Sequence, residues 1–322
     1  MEHMVSVIMP AYNAQVTCEK SIKSVLNQTY KDFELIIIND GSSDNTEEKC
    51  KNLITGHENA RVITQNNQGV SAARNNGIQN ATGKYIAFID SDDEYKETFL
   101  EKMVGAAEAE DADLVLCGFS EMKGTEEHVM YIPEACGSKK DYCNHLLKKI
   151  AGASGLNIPW NKLYRRDKIQ YLFNTQTQMG EDLEFVCKYI ADIGKVTSVQ
   201  ESLYYYDTNM ESSLTSHLDL KLRAISADML VMMELTDNVG LSQNIVKNKF
   251  YDRIEGILKP LNRNDYKEAL RFLYGEEKFV RLLNWAPDRA KNKFIRFCLV
   301  HHCINALFLY LSAKKGIKGI LK

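Results

Sequence analysis

Two apolar runs in the first hundred residues end in acids, and this repetition limits the possible folds more than any other feature of the chain. Phe33-Glu34-Leu35-Ile36-Ile37-Ile38-Asn39-Asp40 and Lys84-Tyr85-Ile86-Ala87-Phe88-Ile89-Asp90-Ser91-Asp92-Asp93 are each too short and too β-branched or aromatic for a buried helix, and each stops at carboxylates. Val5-Ser6-Val7-Ile8-Met9, halted at Pro10, and Arg61-Val62-Ile63-Thr64 read as two further strands. Between them lie helical signals. Ile22, Val25 and Leu26 recur at helical spacing behind a cap at Asn13 or Thr17, Asp44 and Glu47 have capping-box spacing, and an Ala-rich segment over 71–80 ends before Gly83. Strands separated by such helices need crossover connections, so the expected fold is α/β, a doubly wound, mostly parallel sheet. Asp40 and Asp90 would then share the carboxyl rim, where open α/β sheets bind their ligands.

The chemistry of that rim follows from what it lacks. No G-x-G-x-x-G and no Walker lysine motif accompanies the strands, which argues against a dehydrogenase or a P-loop enzyme. Without a glycine-rich phosphate turn, a diphosphate would have to be neutralised by a divalent cation and a basic side chain. Asp92 and Arg74 supply those roles. Composition adds limits: 44% hydrophobic and 26% charged residues over 322 positions exclude a disordered or fibrous chain. Eight scattered cysteines without a C-x-x-C pair, and no signal pattern at the start, suit reduced thiols in a cytoplasmic protein. No nucleic-acid partner is expected.

Four segments in order, Pro10-Ala11-Tyr12-Asn13-Ala14, Asn39-Asp40-Gly41-Ser42-Ser43-Asp44, Asn67-Gln68-Gly69-Val70-Ser71-Ala72-Ala73-Arg74-Asn75 and Ile89-Asp90-Ser91-Asp92-Asp93, resemble family 2 glycosyltransferases of the GT-A fold. The match is specific over about the first hundred residues and continues more weakly to about 215. The resemblance implies transfer of a sugar from a nucleotide-sugar, most simply a UDP-sugar, with inversion at the anomeric carbon. It implies that Pro10, Ala11 and Tyr12 line the nucleoside pocket, that Asp40 accepts from the uracil ring N–H, and that Arg74 holds the nucleotide. Asp90, Ser91 and Asp92 would form the Asp-x-Asp element, with Asp90 near the ribose or the metal and Asp92 on Mn2+ or Mg2+ bridging the diphosphate. The residue chemistry agrees independently, because a diphosphate leaves readily only when its developing charge is neutralised.

Beyond residue 97 a helix through Phe99, Met103 and Ala107 and a strand at 114–119 are expected, then a polar stretch over 121–131 that suits an edge hairpin or a loop. Ile158-Pro159-Trp160-Asn161-Lys162-Leu163-Tyr164-Arg165-Arg166 gathers aromatic, amide and basic groups suited to sugar and phosphate contact, and it resembles the acceptor-side segment of bacterial polysaccharide transferases. Gln178-Met179-Gly180-Glu181-Asp182 then opens a helix reaching Gly194. In the resembled family the acid of such a pair deprotonates the acceptor hydroxyl, a role that carries over to Asp182 with Glu181 beside it. An inverting displacement needs one base opposite the leaving group and no second nucleophile. Tyr204-Tyr205-Tyr206-Asp207 reads as a strand, followed by a Ser-rich loop at 211–213.

The expected division is a catalytic domain over 1–215, with a donor half over 1–120 and an acceptor half over 121–215, and a helical domain over 216–322. Helices are expected over 218–239, 245–258, 266–283 and 289–311, with Pro260 and Pro287 between them, and Met229, Leu230, Met232 and Met233 as core. Charge is uneven. From Arg289 onward there are eight Lys or Arg and no acid, which leaves 32 bases against 43 acids in the remainder. An apolar helix with basic flanks over 289–318 suits either a surface anchor on anionic lipid or docking on the protein itself, and a lipid-linked or glycan acceptor in surface polysaccharide assembly would make sense of the anchor. Two other classes stay open: a nucleotidyltransferase acting on sugar phosphates, and a non-catalytic nucleotide-sugar-binding module.

Overall fold

The structure, a computed structural model, describes residues 4–123, 126–132, 134, 136–139, 158–176, 180–207, 251, 254–275, 279–280, 283 and 293–320. The Ser-rich loop at 211–213, the helix over 218–239 with its methionines, most of 245–258, Gln178, Met179 and Pro287 lie outside the described residues. Described residues up to Asp207, apart from Gly180, form one compact unit, and those from Tyr251 onward belong to a second.

The first unit alternates strand and helix as the apolar runs predict. In chain order it comprises β1 (Val5–Ala11), α1 (Cys18–Leu26), β2 (Phe33–Asn39), α2 (Thr46–Leu53), β3 (Ala60–Thr64), α3 (Val70–Asn80), β4 (Tyr85–Phe88), β5 (Glu94–Tyr95), α4 (Phe99–Glu110), β6 (Leu114–Lys123), β7 (Glu126–Met130), β8 (Cys136–Ser138), β9 (Lys162–Arg165), α5 (Glu181–Asp192) and β10 (Lys195–Tyr206). One sheet runs β3-β2-β1-β4-β9-β6-β10-β5, with β7 on β6 and β8 on β10. The pairs β2/β3, β1/β2, β1/β4 and β6/β10 are parallel. Every residue of β1, β2 and β4 is buried. Strands covered on both faces need continuous apolar runs, and these have them.

Several boundaries differ from expectation for identifiable reasons. β1 continues through Pro10 to Ala11, because the ladder to β2 extends to Asn39 while β4, paired with Val5–Ile8, has already ended. Proline's missing donor falls where no partner is left. Neither Asn13 nor Thr17 caps α1 with its side chain. Asn13, at φ 49°, instead accepts from Ser43 N at 2.9 Å, tying the loop after β1 to the loop after β2. Within the stretch over 121–131, β6 and β7 pair antiparallel, Glu121 facing His128 and Lys123 facing Glu126. The segment around Trp160 contains the antiparallel strand β9 wedged between β4 and β6, which makes the sheet mixed. β10 begins at Lys195, well before Tyr204, because its polar first half still pairs with β6.

In the second unit α6 spans Arg263–Gly275, α7 Lys293–Val300 and α8 Ile304–Ile320. The single helix expected over 289–311 is therefore two. The break falls at His301–Cys303, where His302 takes φ 53° and Cys303 N donates to Cys298 O at 2.7 Å, a left-handed helix ending.

Candidate active site

The parallel strands deliver their carboxyl ends to one rim, and hydrogen bonds between the loops fix its shape. Ala14 N donates to Thr46 Oγ1 at 2.7 Å and Asn13 N to Ser42 Oγ at 3.0 Å. Asp40, buried at the end of β2, accepts from Gln65 Nε2 at 2.8 Å, Gln68 N at 3.0 Å and Gly69 N at 2.8 Å. It thereby holds the loop that leads into α3. Gly41 permits this closeness: its φ is +69°, and a Cβ there would sit 2.7 Å from Asn67 N. Beside them Pro10 and Ala11 are buried, while the Tyr12 side chain is half exposed at the mouth.

Arg74 joins the separate parts. It lies on α3 with its side chain only 4% exposed, donating through Nη2 to Asp90 Oδ1 at 2.9 Å and through Nη1 to Asp182 Oδ1 at 2.6 Å. Its guanidinium also stands 5.3 Å from the centre of the Phe173 ring. The carboxylate after β4 and the one opening α5, far apart in sequence, are thus brought onto one cation. Burial works against the Arg74 charge, but Asp182 and Asp90 hold its pKa up.

The remaining acids crowd this point. Burial, then Glu181 and Asp90, push the Asp182 carboxyl up to about 7 against the opposing pull of Arg74. Asp92, in a partly exposed turn with Ser91, is raised to about 6, chiefly by burial and then by Asp90. Asp93 is buried and raised well above the usual carboxylate range by burial, Asp90 and Asp92. It accepts from the Tyr204 hydroxyl at 2.6 Å and from Asp207 N at 2.9 Å, and Tyr204 in turn accepts from Asp90 N at 3.3 Å. Asp207 is ion-paired to Lys20. One Glu181 carboxyl oxygen, Oε2, is buried without a hydrogen-bond partner.

Carboxyl groups raised by burial and by one another would be favoured in their ionised form by a bound cation, and carboxylate oxygens are the ligands that hard divalent cations take. Among the described residues no three acid, histidine or cysteine side chains converge to hold an ion by themselves. Asp92 and Asp90 could offer carboxylate oxygens to an ion only together with oxygens from a phosphorylated ligand, so the donor set fits a cation that arrives with its nucleotide.

Trp160, Asn161 and Lys162 lie behind the site. Trp160 stacks on Tyr204 with ring centres 4.0 Å apart, and Asn161 Nδ2 donates to Cys117 O at 2.8 Å. The wholly buried Lys162 ammonium donates to Ile158 O and, at 2.8 Å, to Asn161 Oδ1, and burial lowers its pKa to about 7. The structure thus spends the polar atoms of Asn161 and Lys162 on the protein, which a sequence segment rich in tryptophan, amide and base does not reveal. Sequence reasoning also missed the Tyr204 clamp and Lys20. The only signal for the clamp was the extra acid at Asp93, adjoining Asp92 but facing inward.

Comparison with known proteins adds to this geometry. The family model for glycosyl transferase family 2 matches residues 6–173. The chain is 32% identical over 216 residues to the uncharacterized glycosyltransferase EpsJ of Bacillus subtilis (strain 168), a match covering 65% of this chain and 62% of EpsJ. The structure of residues 1–349 of S. aureus TarS in complex with UDP-GlcNAc superposes with a TM-score of 0.77 at 16% identity, covering 97% of this chain and 91% of that one. The mannosyltransferase PcManGT from Pyrobaculum calidifontis, in complex with GDP-Man and Mn2+, superposes at 0.55 with 15% identity, covering 97% and 86%. At such identities these two structures establish the GT-A type of fold.

Proposed function

The chain belongs to glycosyl transferase family 2, and from that premise we propose an inverting transfer of a sugar from a UDP-sugar to a hydroxyl of a glycan or lipid-linked acceptor in surface polysaccharide assembly. The observation that carries the proposal is the Arg74 bridge between Asp90 and Asp182, which sets the acid behind the leaving diphosphate and the acid facing the acceptor on opposite arms of one guanidinium. The UDP and UDP-GlcNAc complexes of TarS support the choice of base.

In this reading Pro10, Ala11 and Tyr12 form the nucleoside pocket. Asp40 keeps its loop closed and offers its remaining acceptor position, on Oδ2, to the uracil N–H. Arg74, Asp90, Ser91 and Asp92 receive the diphosphate. A bound Mn2+ or Mg2+, which the Mn2+ complex of PcManGT supports, would be held by Asp92 with Asp90 and would neutralise the diphosphate charge. Asp182 commits Oδ1 to Arg74 and keeps Oδ2 for the acceptor proton. As the acceptor oxygen bonds to the anomeric carbon, the bond to the diphosphate oxygen breaks with its electron pair and the acceptor proton passes to Asp182. Glu181 stands beside Asp182 and favours the protonated product state. Trp160, Asn161 and Lys162 act from behind, fixing the wall against which Tyr204 holds the Asp90–Asp93 turn.

The test is incubation of the protein and Mn2+ with a panel of UDP-, GDP- and dTDP-sugars and candidate acceptors, scoring nucleotide products and the anomeric configuration of the glycoside by NMR. UDP release with inverted product supports the proposal. Release of pyrophosphate would assign a nucleotidyltransferase, and tight donor binding with no turnover across the panel would assign a binding module.

A further inference from the structure

We infer that the hairpin of α7 and α8 is a surface that docks on an anionic lipid bilayer without crossing it. α7 has two faces. Ile295, Cys298 and Leu299 are buried within the second unit, and Tyr274 Oη donates to Leu299 O at 2.8 Å. Phe294, Phe297 and Val300, one turn apart on the other face, are 44%, 55% and 36% exposed. The apolar face continues onto α8. The Phe294 ring lies 4.9 Å from that of Tyr310, and Leu309 is 68% exposed while Leu307 and Leu311 point inward. Aromatic and aliphatic side chains are thus left in water on a helix pair that already has a core of its own.

Charge selects the occupant. Exposed Lys293 stands at the start of the same helix, and Lys314, Lys315 and Lys318 follow on the last turns of α8. From residue 289 to the end, all eight ionised side chains are cationic. A second copy on this face would set like charges against one another across a two-fold axis, because such an interface pairs a patch with itself. An anionic bilayer offers apolar depth for the rings and phosphate for the lysines, each basic group near such a surface adding about fivefold in affinity. Among the described residues no helix is long and apolar enough to cross a membrane, and the 17 residues of α8 span about 25 Å against a hydrocarbon core of about 30 Å. Docking is independent of the sugar-transfer reading.

The experiment is co-sedimentation of the full chain with phosphatidylcholine vesicles and with vesicles containing phosphatidylglycerol, at low and high salt. The variants are Phe294→Ser with Phe297→Ser, and separately Leu309→Ser, which removes an exposed group and leaves the core alone. Each is checked by circular dichroism melts and by light scattering. The inference predicts binding only to the anionic vesicles, weakened by salt, with at least a tenfold loss in the double variant, a smaller loss for Leu309→Ser, and unchanged melts. Equal binding to neutral vesicles, no binding to anionic ones, or variants that bind like wild type would overturn it. So would a wild-type dimer that the double variant turns into monomer, which would assign the face to a second copy. If the double variant fails to fold, Leu309→Ser and the salt series decide alone.

Discussion

Arg74→Met separates the two duties placed on Arg74, holding the nucleotide and setting the charge of the base. Methionine keeps apolar contact with Phe173 and removes a cation lying 2.9 Å from Asp90 and 2.6 Å from Asp182. Stripping the partner from a fully buried carboxylate costs about 3–5 kcal/mol. Here the two acid side chains are 27% and 29% exposed and can recruit water, so a loss of about 2–3 kcal/mol is expected in urea melts. The catalytic consequence has a defined sign. As the proposed base Asp182 would act ionised, and Arg74 favours the ionised form, so wild-type turnover should rise with pH through about 7. Without Arg74 the midpoint should move upward by about one unit or more, which is about fivefold or more in activity at about pH 7, recovered on the alkaline side. The assay is the initial rate of UDP release at saturating donor across the neutral range. A midpoint that stays in place while only the donor KM rises would refute the coupling and leave Arg74 as a nucleotide contact. The same elevated pKa implies that the ligand-free protein loses stability as pH rises from about 4 toward 7, because the folded state binds the Asp182 proton more tightly than the unfolded chain does.

Other perturbations follow from the same geometry. Asp92→Asn should weaken Mn2+-dependent donor binding by tenfold or more in calorimetry, more than Asp90→Asn, which keeps an oxygen for Arg74; equal effects would remove Asp92 from its assigned place. Tyr204→Phe strips the 2.6 Å hydrogen bond from buried Asp93 and should cost about 1.5–3 kcal/mol by denaturant titration while raising the donor KM. Gly41→Ala adds a Cβ at 2.7 Å from Asn67 N in a left-handed backbone, so donor affinity should fall further than the melting temperature, as Asp40 loses its grip on the loop after β3.

The parallel half of the sheet was legible because burial on both faces demands unbroken apolar runs, and Phe33–Asn39 and Tyr85–Phe88 have nothing else they could be. β9 was not, since Lys162 and Arg165 give its four residues a polar look; the structure hides the Lys162 charge by hydrogen-bonding it to Ile158 and Asn161, and sends Arg165 to Asp111. Acids at strand ends pointed to the rim, yet spacing alone could not tell Asp92, at the surface of the turn, from Asp93, turned inward onto Tyr204. Nor could it show that Arg74 reaches two acids at once, because that meeting depends on where α3 and α5 are packed. The helix over 289–311 misled for a related reason: its apolar periodicity runs through His302, and only the backbone turn there splits it.

The central claim is that Asp182 is the single base of an inverting transfer whose donor is held elsewhere. Asp182→Asn tests it directly, with UDP-sugar affinity measured by calorimetry in Mn2+ beside single-turnover transfer to an acceptor. The account predicts donor affinity within about threefold of wild type and transfer reduced by about a thousandfold or more, within the range that loss of a positioned general base produces. Transfer near the wild-type rate with intact donor binding would contradict it and move the base to another residue.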